Sequence, residues 1–348
     1  MKTPKQKLLW LTMPALMFAV PAVAQNSSAP QRPAIPLGLD LYMPVPEDNP
    51  LTWQKVVLGR RLFFDPILSR DRTLSCASCH DPRRAFSDGL AIAIGIAGRQ
   101  GTRNAPSLIN RGYGSVHFWD GRAASIEEQV LQPIENQKEL DMTVEEVVAR
   151  LKREKDYREL FQTALGSAEG RINADNMAKA LASYVRTILS GDAPVDRYMN
   201  GERDALSKRA REGLRIFRGK GNCTACHLGP NFTDEHFHNT GVAWRDGKLL
   251  DSGRFEVTSK QQDRGKFKTP TLREIDRTAP YMHDGSIATI EEVIEYYDRG
   301  GNPNPYLDVE LRVLRLTAEE KEALLQFLRA LSGNIREGLL QESSDRAG

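Results

Sequence analysis

Long apolar runs are missing from this sequence once its first 24 residues are set aside. No later stretch approaches the ~18 consecutive apolar residues that a membrane-spanning helix needs. A strong charge of either sign is missing too: 48 Lys and Arg stand against 46 Asp and Glu, a formal +2. That balance argues against a basic surface for nucleic acid or membrane. Aromatic residues are scarce at 7%, which gives no hint of a base-stacking platform. Strand-type apolar alternation is scarce throughout, and cysteine is held to four in 348 residues.

What is present is apolar content of 40%, enough for a core, in a chain long enough for two domains. Met1–Ala24 reads as an export signal: Lys2, Lys5 and Lys7 form a basic start, and Leu8–Val20 is apolar but short and Pro-broken. Ala22-Val23-Ala24 then offers a small-x-small cleavage site before Gln25. Loss of three lysines would take the formal charge from +2 to −1. An exported protein, placed in the periplasm and without a membrane span, is expected.

All four cysteines fall in two motifs, Cys76-Ala77-Ser78-Cys79-His80 and Cys223-Thr224-Ala225-Cys226-His227. Two thiols at this spacing can add to the two vinyl groups of one porphyrin, with the adjacent His under the iron. A structural zinc site would not explain a His directly after each pair. A thioredoxin-like redox motif calls for a βαβ context that is missing. A disulfide across a two-residue gap is a short and strained loop. The motifs therefore predict two covalently bound haem c groups, with His80 and His227 as axial ligands.

The surroundings of the two motifs repeat. Gly59-Arg60-Arg61-Leu62-Phe63 precedes the first and Gly213-Leu214-Arg215-Ile216-Phe217 the second, each ending a stretch of helical periodicity. Downstream, Trp119-Asp120-Gly121 leads to Ser125-Ile126-Glu127-Glu128, and His283-Asp284-Gly285 leads to Thr289-Ile290-Glu291-Glu292. Both are Ser/Thr-x-x-Glu capping boxes that open a helix. Thr317 with Glu320 caps a last helix, which can pack on either half. The expected fold is mainly α, with two tandem cytochrome c-like haem domains over residues 25–190 and 203–316. Residues 191–202 are the expected linker, and 317–348 a C-terminal helix and tail.

Aligning the capping boxes sets Pro133 opposite Tyr297. A tyrosine phenolate can ligate iron and a proline side chain cannot. If this helix faces the iron in both halves, the second iron is closed by His227 and Tyr297, while the first has His80 and an open face. Tyr296 and Met282 remain rival ligands, and Tyr297 as an ordinary half-buried tyrosine is the plain alternative. An open iron suits peroxide, and an acid/base group is then needed beside it. Gln129, one helical turn before Pro133, and the carboxylates Glu135 and Glu139 are candidates, each of which can equally be solvated surface.

Together these motifs resemble the bacterial dihaem cytochrome c peroxidases and their MauG-like relatives. The resemblance runs from about Leu51 to Gly301 and includes Arg103-Asn104-Ala105-Pro106, Phe118-Trp119-Asp120-Gly121-Arg122, Thr269-Pro270-Thr271-Leu272-Arg273 and Ala279-Pro280-Tyr281-Met282-His283-Asp284-Gly285. It implies that Trp119 relays electrons between the haems. Gln129 and Glu139 become the distal glutamine and catalytic glutamate, and Pro133 lies on the same face. Asn104, with the carbonyls of Thr278 and Pro280, is implied to hold one Ca2+ between the domains.

Departures from the pattern sort the branch. Peroxidases fed by a small cytochrome carry a removable His on a Gly-His-Gly loop, where this chain has Gly95-Ile96-Ala97, and Met where it has Tyr297. Both features are similar to the MauG-like branch. The protein that gives the branch its name passes holes through a surface tryptophan just before the second motif, but Gly221 stands there in this chain, so the protein substrate or the route to it is expected to differ. The resemblance implies a peroxidase that oxidises a protein or organic donor with hydrogen peroxide, as a monomer or homodimer. The alternatives are detoxification of peroxide with electrons from a small cytochrome c or cupredoxin, and a non-enzymatic dihaem electron carrier. His117, His236 and His238 are read as structural or surface residues, with a role near the second haem as the alternative for His238, whose stretch Phe237-His238-Asn239-Thr240-Gly241 also resembles the family. His283 is read as packing or hydrogen-bonding at the domain interface.

Overall fold

Helices form where the capping residues call for them. The computed structural model describes residues 30–169 and 172–339; the proposed leader 1–24 and the tail 340–348 lie outside the described residues. Thr52 opens α1 (Trp53–Phe64) by accepting from the Lys55 N–H. The first Cys-x-x-Cys is itself a single helical turn, α2 (Cys76–Cys79). Ser125 caps α3 (Ile126–Gln129), followed by α4 (Gln132–Glu135). α5 (Val144–Arg153), α6 (Lys155–Glu169) and α7 (Ala174–Arg186) complete the first half.

After β1 (Leu189–Gly191), the stretch expected as a linker is not free chain. It carries α8 (Pro194–Met199), whose Val195 is buried. α9 (Lys208–Arg218) then leads to the second motif. Short strands β2 (Phe237–His238), β3 (Trp244–Arg245), β4 (Lys248–Leu249) and β5 (Phe267–Lys268) enclose α10 (Phe255–Thr258). α11 (Ile290–Asp298), α12 (Ala318–Arg329) and β6 (Asn334–Arg336) finish the chain. The fold is mainly α, and the strands pair antiparallel as β1–β6, β2–β5 and β3–β4.

The buried apolar residues divide in two. One cluster includes Val56, Leu62, Phe63, Leu181 and Tyr184; the other includes Leu206, Leu214, Phe217, Leu325 and Phe327. Each is built on the same helix crossing. In α1 a side chain at Gly59 would fall 1.9 Å from the Ala180 carbonyl of α7, and in α9 one at Gly213 would fall 1.9 Å from the Ala323 carbonyl of α12. Glycine lets the two backbones touch, and an aromatic pair closes each crossing: Phe63 with Tyr184 at 5.1 Å and Phe217 with Phe327 at 5.0 Å. The last helix thus belongs to the second core rather than to a separate tail. Gly213→Ala is expected to cost about 1–3 kcal/mol, as overpacking does, read as a lower urea midpoint at an unchanged slope. An unchanged midpoint would mean that the crossing relaxes freely.

The internal repeat survives in the backbone. The bridges His117↔Ala123 and Tyr281↔Ile287 match at the offset that pairs Pro133 with Tyr297. So do the positive φ angles of Phe118 and Met282, and of Asn110 and Glu274. The halves are joined by charge. Arg111 pairs with Glu235 at 2.8 Å, and Arg103 bridges Asp120 and Asp251. Arg273, held in a buried two-pronged pair with Asp196 at 2.7 and 2.9 Å within the second half, also donates to the Gly38 carbonyl at 2.9 Å. β6 returns to β1, carrying the chain back to the first half.

Two candidate haem sites and the interface between them

Each motif ends in a histidine held the same way. His80 Nδ1 lies 3.1 Å from the Phe86 carbonyl, and His227 Nδ1 lies 3.0 Å from the Phe232 carbonyl. A carbonyl only accepts, so each Nδ1 carries the hydrogen and each Nε2 keeps its lone pair. The carbonyls point back because Ala85, Phe86 and Phe232 adopt left-handed φ angles of 51°, 58° and 50°. Burial lowers the pKa of His80 to about 4 and that of His227 below its ordinary value. Both are therefore neutral imidazoles, the ligating form.

The cysteines suit the same use. None is in a disulfide, and burial pushes the thiols of Cys76, Cys79 and Cys223 up to about 12. Such thiols are poor thiolate ligands and poor redox nucleophiles. Paired thiols beside a neutral, oriented imidazole fit a covalently attached porphyrin.

Around the first motif the chain supplies an acid. Glu139 is close enough to Cys76 and Cys79 for its charge to help raise both thiols. Burial raises the Glu139 carboxyl above its usual range, while a hydrogen bond from Asn136 Nδ2 to Oε1 at 2.7 Å and the Arg122 charge oppose this. Glu135 is exposed. Gln129 ends α3 half-buried, and its side-chain amide has no hydrogen bond among the described residues. Pro133, with no N–H to give, is the second residue of α4, just after the break from α3, whereas α11 runs unbroken through Tyr297. The loop that replaces Gly-His-Gly is docked on the glutamate segment: Ile96 N–H donates to the Glu139 carbonyl at 2.9 Å. A side chain at Gly95 would fall 1.9 Å from the Lys138 carbonyl.

One residue here escaped sequence reasoning. Asp88 has a buried Oδ2 with no partner, its carboxyl is raised by burial, and its charge also bears on Cys79. Nothing in its spacing marked it, because the turn at Ala85–Phe86 alone brings it back to the motif.

Around the second motif the two adjacent tyrosines separate. Tyr296 donates its hydroxyl to the Thr240 carbonyl at 2.9 Å and accepts from the Asn302 N–H at 3.2 Å. Its oxygen is committed to backbone. The Tyr297 hydroxyl has no hydrogen bond among the described residues; burial raises its pKa first, then the charges of Tyr296, Cys226 and Cys223. It therefore lies close enough to the cysteine pair for charge there to be felt. Met282 lies in the left-handed turn it shares by repeat with Phe118.

Trp119 lies where the halves meet. Its indole N–H donates to the Asn104 carbonyl at 2.9 Å, and its own carbonyl accepts from the Lys268 N–H at 2.8 Å. The Asn104 N–H donates to the His283 carbonyl at 2.7 Å, and its Nδ2 donates to the Leu90 carbonyl at 2.7 Å. Asn104 Oδ1 is left without a donor among the described residues. His283 is buried and stacked on Phe267, 3.6 Å between centroids. His117 is buried and His236 exposed.

Two similar halves, each offering paired thiols and an oriented neutral imidazole, with an acid at one and a free phenol at the other, define a dihaem c-type redox protein. The family described as "Di-haem cytochrome c peroxidase" matches residues 53–204. The methylamine utilization protein MauG of Methylorubrum extorquens is 41% identical over 83% of this chain and 81% of its own length. Cytochrome c551 peroxidase of Pseudomonas aeruginosa is 32% identical over 94% of this chain and 92% of its own. A solved MauG-like protein associated with microbial copper homeostasis superposes with a TM-score of 0.78 at 36% identity, over 85% of this chain and 95% of that one. The chain belongs to the di-haem cytochrome c peroxidase family, in its MauG-like branch, and is an oxidoreductase acting on peroxide. Membership implies two haem c groups. Among the described residues no helix is long and apolar enough to cross a membrane.

Proposed function

We propose that this protein is an exported, periplasmic peroxidase built of two tandem cytochrome c-like domains, using hydrogen peroxide to oxidise a protein or organic electron donor. The observation that carries this reading is the asymmetry between Pro133 and Tyr297, with the buried Tyr297 hydroxyl unpartnered among the described residues and near enough to Cys223 and Cys226 to feel their charge. Cys76, Cys79 and His80 would hold one haem, and Cys223, Cys226, His227 and Tyr297 the other. When bound, the two haems supply iron centres that take up the oxidising equivalents of peroxide.

The chain's own residues do the rest. The Glu139 carboxylate, with Oε1 steadied by Asn136, takes a proton from the incoming peroxide and returns it to the oxygen that leaves as water. Gln129 orients the oxygen species from the same face. Trp119, hydrogen-bonded to both halves, carries electrons between the sites. The free Asn104 Oδ1, with the Thr278 and Pro280 carbonyls, suits one Ca2+, a cation that takes neutral oxygen ligands. It would keep the Trp119 anchor in place.

EPR of the resting ferric protein, followed by stoichiometric peroxide, tests the reading. One high-spin and one low-spin signal, with the high-spin one consumed by peroxide, are expected. Two low-spin signals that ignore peroxide would make the protein a plain electron carrier. Fast steady-state turnover with reduced cytochrome c would instead point to a peroxidase fed by a small cytochrome, as the name of the Pseudomonas aeruginosa relative, cytochrome c551 peroxidase, has it.

A further inference from the structure

His238 has no part in the chemistry above, yet it has the most constrained surroundings of any imidazole in the chain. Its Nδ1 lies 2.6 Å from Asp308 Oδ2 and its Nε2 lies 2.9 Å from Asp234 Oδ2. Ionised carboxylates only accept, so both ring nitrogens must donate, and a ring that donates twice is an imidazolium. Asp234 is itself held below its ordinary range: burial opposes this, but hydrogen bonds from the His236 N–H and from His238 prevail. The pKa of His238 is pushed up to about 10, first by the Cys226 sulfur and then, against burial, by Asp234 and Asp308. The sulfur's share disappears once Cys226 is a thioether; the two carboxylates remain.

The three side chains join three segments of the second site. Asp234 follows His227 in the motif loop, and its N–H donates to the Cys226 carbonyl at 2.8 Å. His238 lies in β2. Asp308 lies in the loop after α11, and its N–H donates to the Asn239 carbonyl at 2.9 Å. That loop returns to the residue after Tyr297, with Leu314 and Leu316 N–H groups donating to Asp298. A brace therefore runs from the histidine side of the site to the tyrosine side.

We propose that His238 is a fixed-cation positioning residue of the second haem site, bracing the His227 loop against the α11 loop and holding the reduction potential of that iron up. The charge argument is direct. With the imidazolium in place His238, Asp234 and Asp308 carry one net negative charge; without it, both carboxylates are uncompensated, with Asp234 beside Cys226. Extra negative charge stabilises the ferric over the ferrous state. The trio Cys226, Asp234 and His238 also has the spacing of a metal cage, its ligand atoms lying within 4.8 Å of one another. That use is closed in the loaded protein, because Cys226 is then a thioether and both nitrogens of His238 are engaged.

The inference rests on the reading that His227 and Tyr297 hold the second iron, and spectropotentiometry of the haem-loaded protein tests the two separately. If the unmodified protein lacks a low-spin signal that responds to Tyr297→Phe, the ligand reading fails before His238 is touched. Given that signal, His238→Gln is expected to lower the midpoint of the low-spin haem by at least about 59 mV, a tenfold change for one electron, with the high-spin haem unmoved. His238→Lys, which keeps the charge, should restore most of the shift. An unmoved midpoint in the Gln variant, or an equal fall in both variants, overturns the proposal. Asp308→Asn provides an independent check if the Gln variant does not fold: it keeps an acceptor oxygen while removing a negative charge, and must move the midpoint upward. Any other outcome for that variant also overturns the proposal.

Discussion

Tyr297→Phe is expected to turn the low-spin haem high-spin while leaving the total haem content and the first site's signal as they were. The substitution removes one oxygen and keeps the ring, so Ile290 and Ile294 still anchor α11 in the second core. No hydrogen bond of the described fold is lost, since the Tyr297 hydroxyl has none; stability should change by no more than about 0.5 kcal/mol. The control is Tyr296→Phe, which loses bonds to Thr240 and Asn302. It should loosen the fold and leave the low-spin signature alone. The pH dependence follows from burial, which raises the phenol above its ordinary value. Without iron the group stays neutral through the working range, so the bound iron must drive its ionisation. A low-spin signal that survives Tyr297→Phe would reassign the ligand, with Met282 next in line.

Glu139→Gln is expected to slow the reaction with peroxide by about 10²- to 10⁴-fold, the usual worth of a positioned acid/base group. The amide is close in size and its oxygen can still accept from Asn136 Nδ2, so both haem signals should persist. The sign of the pH effect can be worked out. Burial places the Glu139 carboxyl above its ordinary value, and only the ionised form accepts a proton from peroxide. The rate should therefore fall as pH drops through this raised pKa, above the range where exposed carboxylates titrate. Gln at this position should abolish that limb. Removing the Arg122 charge, which holds the group down, should shift the limb to higher pH. Stopped-flow mixing with peroxide across pH reads both effects, and a limb unchanged in the Gln variant would assign the proton to another group, Asp88 first.

The two haem motifs, the repeat and the asymmetry between Pro133 and Tyr297 are legible along the chain because each is local. Cys-x-x-Cys-His is a five-residue chemistry, a capping box spans four residues, and a proline side chain can never ligate iron. The helix starts at Ser125, Thr289 and Thr317 fall where the capping boxes place them. The stretch 191–202 misled because Gly, Pro, Asp and Asn read as a linker, although Pro194 is equally a good first residue for α8. The last helix could not be placed by pattern alone, since both halves carry the same glycine crossing. The one at Gly59 is filled by α7, which leaves the one at Gly213 for α12.

What the tertiary structure alone supplies is the surroundings of side chains that the pattern leaves equivalent. Periodicity allows Tyr296 or Tyr297, and Glu135 or Glu139. Packing commits the Tyr296 oxygen to backbone, sends Glu135 to solvent, and leaves the other two buried and close enough to the cysteines for charge to be felt between them. Asp88 and the Asp234–His238–Asp308 brace were invisible for the same reason. Their meaning depends on distances between residues that the chain brings together only after its loops close. Spacing determines what chemistry a segment carries; the crossing of the helices determines where that chemistry points.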